Sequence, residues 1–409
     1  MSALPYPWLV ADVGGTNARF GLVTGPGARP SQVAVLAGAE HRTLPDAVAA
    51  YLTAHAGGVL PGAACLAVAG PVEGDRYALT NLPWAGSARD LGVPNATLLN
   101  DFEALALSLP HLDGDDLVPI GGPAPAHGVK AVLGPGTGLG VAGLVPADGG
   151  WIPIPGEGGH VTVPVQDDRE LEVLRVLRAQ ARRSLSPAAD PSAAGPPVVG
   201  PPVVGASGGV PSAVVPSGVV PSGVVPSGVV EADQVVAERV LSGPGLVRLH
   251  RALAEVNGVA APELTAAGIV ARQDDPLCAE TIEVFCGMLG SFAANVALTL
   301  GARGGVYLGG GVLPRIVERV CAGGFRARFT ANPGMSGYLD AIATMLIVAP
   351  QPALTGAAAW LARQAATTPA TTPATTPATT PATTPAATPA ETPAETPAGV
   401  TSGGLTATA

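Results

Sequence analysis

Apolar positions recur along this chain with two different periods, and the switches between them mark out strands and helices. Alternation, or short apolar runs bounded by turn residues, predicts strands at Trp8 to Val13, Arg19 to Val23, Ala64 to Val68 and Thr97 to Leu99. The first two flank a glycine turn and read as a hairpin. Ala131 to Leu133 and Val141 to Leu144 read as a second hairpin, closed by GPGTGLG. Val306 to Leu308 is a short buried strand that runs into Gly309, Gly310 and Gly311. Helical spacing of Leu44, Val48, Tyr51 and Leu52 predicts a helix from Leu44 to His55. Leu171, Val173, Leu174 and Leu177 do the same for Glu170 to Ala181, and Ala279 to Leu300 reads as a long apolar helix. Strands and helices that alternate in this way indicate an α/β protein.

Two segments break the pattern. From about Ser186 to Val230 the chain is Pro, Ser, Ala, Gly and Val, with PPVVG twice, then PSAVV and PSGVV three times. Its period of five matches neither helix nor strand, so a flexible loop is expected. Such a loop inside a domain is tolerable only where its ends lie close together, because closure entropy grows slowly with length. From about Thr367 to Pro397 the chain repeats TTPA and drifts to ETPA. Regular proline removes backbone donors, and nothing there can form a core, so a disordered tail is expected. With these set aside, the 409 residues divide into a small α/β domain over 1–110 and a large one over 111–364. The insertion 186–230 interrupts the large domain and the tail covers 365–409.

The net charge of −10 argues against a nucleic-acid footprint. No uninterrupted apolar run reaches the length of a bilayer span, and Met1 to Pro7 carries no basic, apolar leader. No membrane association is therefore expected. Cys65, Cys278, Cys286 and Cys321 have no CxxC spacing, which makes a zinc site or a disulfide framework an unattractive reading. Isolated thiols in a reducing cytoplasm account for them.

The chemistry concentrates at strand ends. In Asp12-Val13-Gly14-Gly15-Thr16 the glycines remove side-chain bulk and permit φ > 0. Backbone N–H groups and the Thr16 hydroxyl, followed by Asn17, can then face phosphate oxygens. Asp12 is placed to orient a hydrated Mg2+, which prefers carboxylates, water and phosphate. An ordinary hairpin turn would explain the same residues. The reading gains weight from a second glycine turn, Gly134 to Gly140, with Gly136, Thr137 and Gly138 at its tip, and from a third at Gly309 to Gly311. None matches the Walker pattern or a Rossmann fingerprint. Three such turns spread along the chain fit a nucleotide held in a cleft between two domains.

Asn100 and Asp101 end another buried strand. A carboxylate there can take the proton of a hydroxyl that attacks a terminal phosphate, and Asn100 can bond sugar hydroxyls. A plain helix cap is the competing explanation. Glu157 and His160 stand on a glycine loop, Pro155 to His160, suited to hydrogen bonding a polyol. Glu238 lies in Ala237 to Gly245 and reads equally as a solvated residue or as a partner of Arg239.

These stretches, LVADVGGTNARFGLV, LLNDFEALAL, VLGPGTGLGVAGLV, IPGEGGHV, AERVLSGPGL and YLGGGVLPRI, occur in the order seen in bacterial glucokinases. The chain resembles that family, in its proteobacterial form, over about 8–182 and 234–364. The resemblance implies the two-domain actin-like ATPase (ribonuclease H-like) sugar-kinase fold with a cleft between the domains. It implies ATP and Mg2+ as cosubstrates, D-glucose as acceptor, a cytoplasmic enzyme and, by analogy, a homodimer. Carried over by motif, Asp101 is the catalytic base, and Asn100, Glu157, His160 and Glu238 hold the sugar. Asp12, Gly14, Gly15, Thr16, Asn17, Gly136, Thr137, Gly138 and Gly309 to Gly311 serve the nucleotide and its metal. The repeat insertion departs from the family and falls just upstream of Glu238. The zinc-bearing repressor branch would show a cysteine cluster after the acidic–His loop, and none is present. A non-catalytic sugar sensor and a partner-driven ATPase on the same fold are the alternatives.

Overall fold

The computed structural model describes residues 4–79, 82–148, 150–185 and 234–367. The repeat insertion and the Thr/Pro/Ala tail fall outside the described residues, apart from the first few positions assigned to the tail, which are helical.

The first half opens with strands β1 (Trp8–Val13), β2 (Asn17–Val23) and β3 (Ser31–Ala37), joined as a meander. Helix α1 (Leu44–His55) then crosses to β4 (Ala63–Val68), which lies parallel to β1. Thr43 starts α1, its hydroxyl accepting the Asp46 N–H, with a proline in the first turn. A small three-stranded sheet follows, made of β5 (Val72–Glu73), β6 (Arg76–Ala78) and β7 (Ala85–Ser87). The chain returns through β8 (Ala96–Asn100), parallel to β4, and enters α2 (Asp101–Ser108). The first sheet thus has the order β3-β2-β1-β4-β8.

The second half repeats the plan. After β9 (Leu117–Gly121), strands β10 (Lys130–Pro135), β11 (Leu139–Ala147) and β12 (Gly150–Ile154) form another meander. Helices α3 (Asp168–Leu185), α4 (Gly243–Asn257), α5 (Ala266–Val270) and α6 (Pro276–Leu300) lead to β13 (Gly305–Leu308), parallel to β10. Helices α7 (Val317–Cys321), α8 (Gly324–Thr330) and α9 (Ser336–Asp340) lead to β14 (Thr344–Ile347), parallel to β13. The order β12-β11-β10-β13-β14-β9 matches the first sheet, with β9 added at the edge. Each sheet therefore carries one glycine turn at the same place, between its first two antiparallel strands.

Strand alternation sorts the core. Leu9, Ala11 and Val13 point to the outer side of the first sheet, with α1. Trp8 and Val10 point inward, into a core shared with Val132 and Tyr307 of the second sheet and with α2 and α10 (Pro352–Thr367). Ala131 and Leu133 point outward again, under α4 and α6. Helix α6 is long and apolar enough to span a bilayer, but 72% of its most apolar window is buried in this core.

One placement departs from the linear division at residues 110 and 364. Helix α10 packs on α2 and against β1 and β4 of the first sheet, although it ends the described chain. The reason is steric. Gly356 crosses α2 so closely that a Cβ there would lie 1.7 Å from the Ala104 carbonyl oxygen. Two small residues let the helix backbones touch, so the last helix fits between the sheets.

Candidate active site

The hairpin β1–β2 builds the first wall. Its turn closes with the Gly14 N–H donating to the Asn17 carbonyl at 3.0 Å, and the Gly38 N–H donates to the Thr16 carbonyl at 2.8 Å. Neither Gly14 nor Gly15 adopts a left-handed backbone, and neither do Gly136 and Gly138. Of the two properties expected of Gly14 and Gly15, the freedom to take positive φ is not used. A side chain at Gly136 would meet no protein atom within 4 Å, so that face is left open for a ligand. Thr16 and Thr137 sit exposed at the two turn tips, and neither hydroxyl has a hydrogen bond to the protein among the described residues. Of the candidate glycines only Gly310 is left-handed, at φ +86°. Its position is also sterically closed, since a Cβ would come within 2.4 Å of the Pro135 carbonyl oxygen. The second and third glycine turns are thereby locked backbone to backbone.

Asp12 and Arg19 face one another across the hairpin register, and their side chains pair at 3.3 Å. The motif reading missed Arg19. The signal for it was the hairpin itself, which puts residues 12 and 19 opposite each other. Burial pushes the Asp12 carboxyl above its usual range, and the arginine opposes that shift. Asp101 opens α2. Its Oδ1 accepts the Phe102 N–H at 3.0 Å. Burial first, and the Asp12 charge second, push its pKa up to about 6, against the partly compensating N–H donors of the helix start. Asn100 is the helix cap. Its Oδ1 accepts the same Phe102 N–H at 2.9 Å, while the Glu103 carboxylate reaches back to the Asn100 N–H at 3.0 Å. The cap explanation is therefore realised, and the Asn100 side chain also hydrogen-bonds the Asp101 carboxylate, favouring its charged form.

Asp12, Arg19 and Asp101 line a cavity of about 420 Å3 together with Gly309, Gly310 and Gln351. Its walls come from both halves of the molecule. Glu157, His160 and Glu238 form a neighbouring group outside that lining. The turn Gly158–His160 packs on β11, where a Cβ at Gly159 would sit 2.1 Å from the Leu139 carbonyl oxygen. The His160 and Glu157 side chains lie 3.9 Å apart and are open to solvent. Glu238 Oε2 accepts the Leu139 N–H at 2.8 Å, and the Gly243 N–H donates to the Gly136 carbonyl at 2.8 Å. Glu238 thus clasps the second glycine turn, and no ion pair with Arg239 is found among the described residues. The Ala237 N–H donates to the Val161 carbonyl at 2.8 Å, which sets Glu238 beside the acidic–His loop. Phe102 joins the two groups by lying flat on Gly140, where a Cβ would fall 1.9 Å from the ring.

The donor set suits a hard cation carried by a nucleotide. Asp12 offers one half-buried carboxylate at the end of the strand that enters the first glycine turn, and Mg2+ commonly takes one or two carboxylates plus phosphate and water. Among the described residues no cluster of three His, Cys, Asp or Glu side chains forms a protein-only metal cage.

Known proteins match this arrangement along most of the chain. The glucokinase family model aligns with residues 9–187 and 225–364. The glucokinase of Saccharophagus degradans is 40% identical over 368 residues, covering 87% of this chain and 98% of its own length. That of Aromatoleum aromaticum is 39% identical over 361 residues, covering 86% and 94%. Among solved structures, a glucokinase from an Antarctic psychrotroph superposes with a TM-score of 0.67 at 32% identity, covering 87% of this chain and 98% of the other. A ROK-family glucokinase from Streptomyces griseus, solved with glucose and AMPPNP, shares the fold at a TM-score of 0.52 and 18% identity, covering 88% and 100%. The duplicated sheets are thus those of the actin-like sugar-kinase fold, and with both the family match and these relatives extending over both halves, this chain belongs to the glucokinase family.

Proposed function

We propose that this protein transfers the terminal phosphoryl group of ATP to the 6-hydroxyl of D-glucose, giving glucose 6-phosphate and ADP. The observation that carries the reading is Asp101: a half-buried carboxylate with its pKa pushed up to about 6, in one cavity with Asp12 and the third glycine turn. A base raised to this range is charged at neutral pH and basic enough to accept a proton from a hydroxyl as the phosphoryl group departs.

In this mechanism Asn100, Glu157, His160 and Glu238 hold the sugar hydroxyls. Asn100 contributes the N–H that its bond to the Asp101 carboxylate leaves over, since its carbonyl is occupied by the cap. Glu238 has a double duty, because the oxygen that steadies Leu139 leaves the other for a ligand. The backbone N–H groups of both glycine turns, with Thr16 and Thr137, cradle the phosphates. Mg2+ held through Asp12 supplies positive charge to the phosphoryl oxygens when it is bound. Closure of the two halves excludes water, which would otherwise take the phosphoryl group. The four cysteines are free thiols, in keeping with a reducing cytoplasm.

ADP release from Mg-ATP by the purified chain, with and without glucose, tests this reading. Strong glucose-dependent release is expected. Equal release without sugar would mean a partner-driven ATPase. Glucose binding with no release would mean a sensor or a different phosphoryl donor.

A further inference from the structure

Gln351 stands in the cleft wall under two constraints that a purely structural residue rarely tolerates together. Its backbone is left-handed, at φ +77°, one of three such non-glycine residues among those described. It is also flanked by Pro350 and Pro352, and the following proline narrows its backbone choices further. A bulky residue in this region costs energy that glycine would avoid, and such strain gathers at functional sites. The Gln351 carbonyl is used, accepting the Leu354 N–H at 3.2 Å at the start of α10. Its side-chain amide has no hydrogen bond among the described residues.

Gln351 borders the same cavity as Asp12 and Asp101. The polar side chains of that cavity are Asp12, Arg19, Asp101 and Gln351. Arg19 is tied to Asp12, and both carboxylates are acceptors. Gln351 therefore carries a side-chain N–H donor with no protein partner on that wall, beside two negative groups and in addition to the Arg19 N–H groups that its single contact with Asp12 leaves over. An anion entering here needs donors, and Gln351 stands at the N-terminal, positive end of the sixteen-residue α10. Gln351 also borders a smaller cavity of about 220 Å3 with Arg29, His111 and Asp116, but that one contains none of the glycine turns.

We propose that the Gln351 amide donates a hydrogen bond to a phosphate oxygen of the nucleotide in the cleft. It is then a nucleotide-contacting residue of the transfer reaction, and the inference rests on the kinase reading above. The strained backbone makes the test clean. Gln351→Gly removes the amide and relieves the left-handed strain, so the variant keeps its fold. Gln351→Ala removes the amide and keeps the strain. Both are compared with the wild-type chain by titration calorimetry with Mg-ATP and with the non-hydrolysable imido analogue, by steady-state kinetics and by thermal melting. Losing one hydrogen bond to a charged group weakens ATP binding roughly tenfold or more. The expected result is that loss in both variants, with KM for glucose within about twofold of wild type, the alanine variant melting near wild type and the glycine variant no lower. Unchanged ATP binding in the glycine variant would overturn the assignment. So would a loss that follows melting temperature, present in the alanine variant and absent in the glycine variant. A wild-type chain that neither binds ATP nor transfers its phosphoryl group would instead remove the kinase reading beneath the inference.

Discussion

Replacing Asp101 by asparagine should cut turnover sharply and stabilise the fold, and the stabilisation should depend on pH. The substitution is nearly isosteric, and the asparagine carbonyl can still accept the Phe102 N–H that Asp101 accepts now. What it removes is a charge that burial and Asp12 oppose. The carboxyl moves from its ordinary 3.8 up to about 6 in the fold, a rise of about two pH units at about 1.4 kcal/mol each. The sign follows from proton linkage. Between pH 4 and 6 the folded state holds a proton that the unfolded chain has released, so the Asp101 contribution to stability declines as pH rises through that window. Above pH 6 the charged carboxylate costs the fold about 3 kcal/mol, an order-of-magnitude figure. Urea denaturation of both proteins at pH 8 and at pH 4 measures it. The account predicts that the asparagine variant is the more stable at pH 8 by a few kcal/mol and that the difference shrinks toward zero at pH 4. Turnover at pH 8 should fall by on the order of 10²–10⁴-fold, the usual worth of a general base, while glucose binding persists. A variant less stable than wild type at pH 8, or a difference that ignores pH, would refute the reasoning that Asp101 is a desolvated, like-charge-opposed base.

Three further outcomes follow from the same geometry. The rate at limiting glucose should drop about tenfold per unit below pH 6, because Asp101 must be charged to accept a proton; a profile flat to pH 5 would exclude it as the base. Gly356→Ala should cost about 2 kcal/mol or more in chemical denaturation, since its Cβ would overlap the Ala104 carbonyl of α2; wild-type stability would show that the helices separate freely. Glu238→Ala frees the Leu139 N–H and loosens the second glycine turn, so KM should rise for both ATP and glucose. A change confined to glucose would make Glu238 a sugar ligand alone.

What was legible in the sequence was local. Both glycine hairpins, the strands leading to them and the long α6 could be read from apolar spacing, because a turn and its flanking strands are neighbours in the chain. What was not legible depended on contacts between distant segments. Nothing in TGAAAW announces that Gly356 lies against Ala104, so the packing of α10 on α2 and the first sheet could not be read from chain order. Asn100 and Asp101 read as a site or as a cap, and the structure makes Asn100 a cap whose side chain also bonds the Asp101 carboxylate. Arg19 was quoted within a motif yet given no role, because its importance lies in the cross-strand pair with Asp12. The room expected at the glycine turns is there as open space beside Gly136, while the close backbone contacts at Gly134 and Gly310 and the Phe102 ring on Gly140 involve segments far apart in the chain and had no signal in it.

The most direct test of the central claim follows the phosphoryl group itself. The full chain, in excess over ATP labelled on the terminal phosphate, is mixed with Mg2+ and glucose, quenched after one turnover, and the labelled products are separated. The account predicts label on the 6-oxygen of glucose, in step with ADP, for the wild-type chain, and label left on ATP for Asp101→Asn. Label appearing as free phosphate, or reaching glucose equally fast without the Asp101 carboxylate, would contradict it.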